Sequence, residues 1–102
     1  MSGFEAVARL KQLLLSMEQD LGIDKLGAVQ RNIVYAATLI AQDGDAIATD
    51  DIREHELLKG VPRSTFFKAL KHVVSARYLA HLEGAQRSSY ILQDSNGSPN
   101  NG

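Results

Sequence analysis

The chain has no cysteine and no tryptophan. Without thiols it forms no disulfides and offers no thiolate metal ligands, and nothing in its residue usage argues for export. No apolar run approaches the roughly 20 residues that a bilayer-spanning helix needs. The opening Met1-Ser2-Gly3-Phe4-Glu5 lacks the basic start and apolar centre of a secretion signal. The expected location is the cytoplasm, with no membrane involved. A glycine-rich phosphate loop is also missing. The only histidines are His55, His72 and His81, and none has an evident partner for acid–base catalysis. Asp51 and His55 stand four apart and could share a helix face, but spacing supplies no third metal ligand. Neither catalysis, metal nor cofactor is expected.

What remains is an ordinary globular balance, 44% hydrophobic and 23% charged over 102 residues. That suffices for one domain with a modest core. The net charge of −1 runs against nucleic-acid binding, since such domains are often strongly basic. The mean conceals an asymmetry. Lys59 to Tyr90 carries a local balance of +5, while Ala41 to Leu58 carries −5. One surface can thus be positive and another negative, and a phosphate backbone responds to the local field.

Apolar residues recur at helical spacing along most of the chain. Val7, Leu10, Leu14, Met17 and Leu21 form a heptad-like seam, widened by Leu13 and Leu15, in a helix that Gly22 can end. The seam is too short for a free-standing coiled coil. It predicts packing shared between its own domain and a second copy of the chain. A second helix is expected from about Lys25 or Gly27 to Gln42, with Asp24 as a possible N-cap and Val29, Ile33, Ala37 and Ile40 towards the core. Asp43-Gly44-Asp45 reads as a turn and Ala46-Ile47-Ala48 as a short strand. Thr49 then reads as the N-cap of a third helix that runs to Gly60, with Asp50 and Asp51 in its first turn and Ile52, Leu57 and Leu58 facing inward.

The stretch from Val61 to Gln93 is the most specific. Pro62 can open a helix over about 62–75, because its missing N–H would be unpaired there in any case. Phe66, Leu70, Val73 and Val74 lie on one face of that helix. Arg63, Ser64, Phe67, Lys68, Lys71 and His72 lie towards the other. Strand candidates follow at Leu79 to Glu83 and Ser89 to Gln93, joined by the loop Gly84-Ala85-Gln86-Arg87-Ser88. Asp94 to Gly102 has nothing to bury and is expected to be disordered. A basic helix backed by apolar side chains, beside a basic-tipped hairpin, suits insertion into a DNA groove. Arg63 and Lys68 are candidates for base edges, Lys71 for a phosphate, and Ser64 and Thr65 for phosphates or for capping the helix. Phe67 fits the core or an apolar contact with a base, His72 borders this surface, and Arg87 would meet phosphate or the minor groove.

The order helix, short strand, helix, helix, two-stranded hairpin resembles a winged helix-turn-helix. Ser64-Thr65-Phe66 followed by Leu70 and Val73 is similar to the recognition helix of MarR-like bacterial transcriptional regulators. Leu79 matches the apolar residue that opens the wing, and Arg87 matches the wing-tip arginine. The match spans about Ala28 to Leu92. This chain departs from the pattern in a longer Ile52–Val61 interval, in Ala76-Arg77-Tyr78 where glycine usually ends the helix, and in the bulky Phe67. The resemblance implies a mainly α fold with a small β-hairpin wing (α+β). Its expected parts are an N-terminal helix over 1–22 that dimerises through Val7, Leu10, Leu14, Met17 and Leu21, a winged domain over 23–93, and the tail 94–102. It further implies a homodimer that binds double-stranded DNA and regulates transcription. Nothing specifies an effector ligand or an operator. The competing expectation is the same scaffold used to dock a protein, without DNA.

Overall fold

The computed structural model describes residues 2–41, 46–82 and 89–93. Arg87, the turn Asp43-Gly44-Asp45, the loop Gly84–Ser88 and the tail 94–102 lie outside the described residues. The described fold is mostly helical, with one small antiparallel sheet. Its elements run α1 (Ser2–Leu21), α2 (Ala28–Ala41), β1 (Ile47–Ala48), α3 (Thr49–Arg53), α4 (Arg63–Ser75), β2 (Leu79–His81) and β3 (Ser89–Leu92).

Helix α1 stops where Gly22 takes φ +77°, a left-handed conformation that a side chain would strain. The chain then makes a 3-10 turn, Ile23–Lys25, before α2 begins. Asp24 lies inside that turn and does not cap α2. Instead, the Gly27 N–H donates to Oε1 of Gln30 at 3.0 Å, half of a capping box. Ile23 and Leu26 are buried in this corner, two core positions outside the helical periodicity. In α2 the buried residues are Ile33, Val34, Ala36, Ala37 and Ala41, with Val29 and Ile40 at the margin of the core.

The third helix departs from expectation. Ala48, extended, occupies the cap position, and Thr49 is the first helical residue. The helix ends at Arg53. His55 turns to φ −69°, ψ 147°, and its Nδ1 accepts from the Leu57 N–H at 3.1 Å, which starts a separate 3-10 turn, Glu56–Leu58. An imidazole that bonds local backbone competes with helix continuation, as short polar side chains do. The break sends Leu58 into the core but leaves Leu57 exposed. It also takes His55 out of the helix carrying Asp51, and no group of three metal-ligating side chains exists among the described residues.

Pro62 caps α4, with φ −60° and ψ 150°, and accepts from the Phe66 N–H at 2.9 Å. At the other end Arg77 adopts φ +71°. The Arg77 N–H donates to the Val74 carbonyl (2.9 Å) and the Tyr78 N–H to the Val73 carbonyl (3.1 Å). That is the Schellman closure usually built on glycine, made here at a cost of about 1 kcal/mol in backbone strain. Strand β2 ends at His81, short of the expected Glu83. The hairpin is part of a three-stranded sheet in the order β1-β3-β2, with Ile47 opposite Tyr90 and Leu79 opposite Leu92. Phe66, Ile33, Ile47, Ile52, Leu79 and Val73 are the largest fully buried side chains, so every element after α1 contributes to one core.

Helix α1 joins that body mainly through its last turns. Glu18 is 7% exposed. Tyr35 donates its hydroxyl to Glu18 Oε2 at 2.6 Å, and Arg31 Nε lies 3.5 Å from the same oxygen. Arg31 also donates to the Leu26 carbonyl. Burial, and then the hydrogen bond to the Glu18 carboxylate, push the Tyr35 phenol up to about 12. An unfolded phenol ionises near pH 10. Between these values the unfolded chain holds fewer protons, so stability falls as pH rises. The contribution is complete below about pH 10 and is lost as pH passes about 12. Melting temperatures over that window should fall more steeply for the natural chain than for Tyr35→Phe. Equal slopes would remove the phenol from the account.

Candidate functional site

Helix α4 positions the candidate surface. Phe66, Ala69, Leu70 and Val73 are buried and fix its rotation about its axis. The spacing of those four leaves Arg63, Ser64, Thr65, Lys68, Lys71 and His72 exposed. Arg63, Lys68 and Lys71 have no carboxylate partner among the described residues. The Ser64 and Thr65 hydroxyls make no hydrogen bond among the described residues and so do not cap the helix. They remain available to an outside acceptor.

Two grooves flank the basic face. One, towards the start of α2, is lined by Thr65, Lys68, Lys71 and His72 together with Gly27 and Gln30. The other, towards the sheet, is lined by Phe67, Lys71, Val74, His81 and Tyr90. In the second, the His81 ring lies 4.6 Å from that of Tyr90. The acidic residues of the preceding segment, Asp50, Asp51, Glu54 and Glu56, are also exposed, but no ion pair ties them to α4.

Phe67 is half-buried, neither core nor free. Its ring meets Phe66 edge-on, with centroids 5.1 Å apart. The Arg63 guanidinium lies 4.9 Å and the Arg53 guanidinium 5.7 Å from its centroid. Arg53 was invisible to spacing arguments, because it sits ten residues before Arg63 on another element. Its only sequence signal is that it is the lone cation between Ala41 and Leu58.

The seam of α1 stands apart from this surface. Val7, Leu10, Leu14, Met17 and Leu21 are 41–66% exposed. Of these only Leu14 borders the groove between α1 and α2, which is lined otherwise by residues such as Ala8, Gln12 and Leu15. The apolar stripe is therefore left largely uncovered by the described residues. No described helix is long and apolar enough to cross a membrane.

No family model, characterised protein or solved structure matches the chain. The class of the molecule is thus set by its fold: a mainly helical α+β domain with a three-stranded antiparallel sheet, an exposed basic helix and an exposed apolar one.

Proposed function

We propose that the chain is a sequence-specific double-stranded DNA-binding regulator of transcription, built as a winged helix-turn-helix similar to MarR-like regulators and active as a homodimer. The observation that carries this reading is α4, clamped by Phe66, Ala69, Leu70 and Val73 and exposing Arg63, Lys68 and Lys71 with no carboxylate partner among the described residues. Unpaired cations on a rigid helix are what a phosphate-lined groove attracts, and releasing counterions from DNA drives their binding. The element order α2, β1, α3, α4, β2, β3 supports the reading, being the order on which the resemblance rests. In this reading Lys68 and Arg63 face base edges, Ser64, Thr65 and Lys71 meet phosphates, His72 borders the groove, and the hairpin rides beside the duplex. The exposed seam Val7, Leu10, Leu14, Met17 and Leu21 supplies the contact between two copies.

Selection from random duplexes tests the proposal. The expected sites are two-fold symmetric, with half-sites about one helical turn (10–10.5 base pairs) apart. Binding should weaken with salt at a logarithmic slope of about −0.9 per phosphate neutralised. No enrichment at low salt would reject the reading. Capture of an acidic protein with a shallow salt response would favour the docking module instead.

A further inference from the structure

Arg53 presents a puzzle that DNA binding in general does not resolve. It is half-buried and stands among the exposed acids Asp50, Asp51, Glu54 and Glu56, yet it pairs with none of them. The break at His55 explains part of this, because it carries Glu56 out of the helical register in which it would face Arg53. Instead, the guanidinium crosses to α4 and rests 5.7 Å from the Phe67 ring centroid and 6.0 Å from that of Phe66. Arg63 occupies the same Phe67 ring at 4.9 Å. A ring's quadrupole attracts each cation. Both guanidiniums lie within about 6 Å of one ring centroid, and the ring's quadrupole does not cancel their like charges. An anion between or above them would do so, and planar guanidinium forks are suited to the oxygens of a phosphate.

We infer that Arg53 and Arg63, gathered on the Phe67 ring, form a seat for one phosphodiester group of the DNA backbone. The inference rests on the proposed function and deepens it. It moves Arg63 from base reader to backbone anchor, adds Arg53 from a different element, and gives Phe67 the role of a positioning residue. Anchoring from both α3 and α4 would set how deeply the basic helix enters the groove. Lys68 is then the principal remaining side chain for reading bases.

The test uses the full chain and a duplex recovered by selection, titrated at several salt concentrations. Arg53→Gln should weaken binding about tenfold and equally across related sequences, and the Arg53→Gln, Arg63→Gln double variant should lose about 0.9 of the salt slope in total, the worth of one phosphate. Arg63→Gln should behave in the same way. If Arg63→Gln instead relaxes preference at one base pair, the shared seat is refuted. Phe67→Tyr, which keeps a ring, should retain the natural slope, whereas Phe67→Leu should lose affinity. Should Phe67→Leu fail to fold, the two arginine variants still decide, because neither removes core volume. Binding by the natural chain with unchanged affinity in Arg53→Gln, or a slope loss of about 1.8 in the double variant, would overturn the seat alone. Failure of the natural chain to bind any duplex would overturn the function and the seat together.

Discussion

Lys68→Glu and Lys71→Glu should each abolish retention of duplex DNA while the protein stays folded. Both side chains are exposed and neither makes an ion pair among the described residues. Reversal therefore removes no packing, and stability should change by no more than about 0.5 kcal/mol. At the interface the effect is large, because an attraction becomes a repulsion. A pair of charges about 4 Å apart is worth roughly 1 kcal/mol in water and about 4 kcal/mol at an effective dielectric of 20. Affinity should drop on the order of 30-fold or more at each site. Gel retention and a thermal melt on the same preparation read both halves of the prediction. Undiminished retention in the double variant would remove α4 from the DNA contact. A collapsed melt would show that these lysines do structural work that their exposure does not suggest.

The second large effect concerns association. In the proposed homodimer, Leu10→Glu combined with Met17→Glu should leave only monomer at micromolar concentrations by analytical ultracentrifugation. These residues are 64% and 51% exposed in the single chain and do not border the groove beside α2, so the fold of each copy should survive. Burying one such side chain stabilises by about 1.5–3 kcal/mol. A two-fold interface counts every change twice. The dissociation constant should therefore rise by more than about a thousandfold. A natural chain that sediments as a monomer over the same range would defeat the dimer before any variant is made. DNA affinity should fall with dimerisation, because two weak half-sites no longer act as one.

The contrast between these two helices shows how far local pattern carries. In α4 the period of Phe66, Leu70 and Val73 told which side would be buried, and therefore which cations would be exposed. In α1 the same kind of period marked an apolar stripe but not the residue that ties the helix to the domain. The polar Glu18 goes inside, held by Tyr35 seventeen residues later, while the leucines stay out. An isolated glutamate looks like solvated surface until a phenol and a guanidinium from another helix converge on it. Likewise, nothing near Thr49 to Gly60 announces that His55 will break the helix, since the imidazole's acceptor role depends on the backbone geometry that it helps create. Arg77 is a milder case. The missing glycine after α4 suggested a departure from pattern, yet the turn closes in the usual way, with the strain carried by a non-glycine residue.

The linear order of residues by itself determined the three long helices, the two-faced character of α4 and the opposed charges of the segment that holds it and the one before, because each depends on neighbours within a turn or two. Tertiary structure alone decided that β1 would pair with β3, that Glu18 rather than the leucine seam would anchor α1, and that Arg53 would share a ring with Arg63. Those outcomes depend on contacts between distant segments, where shape, burial and unmet hydrogen-bonding capacity select the partner and periodicity carries no information.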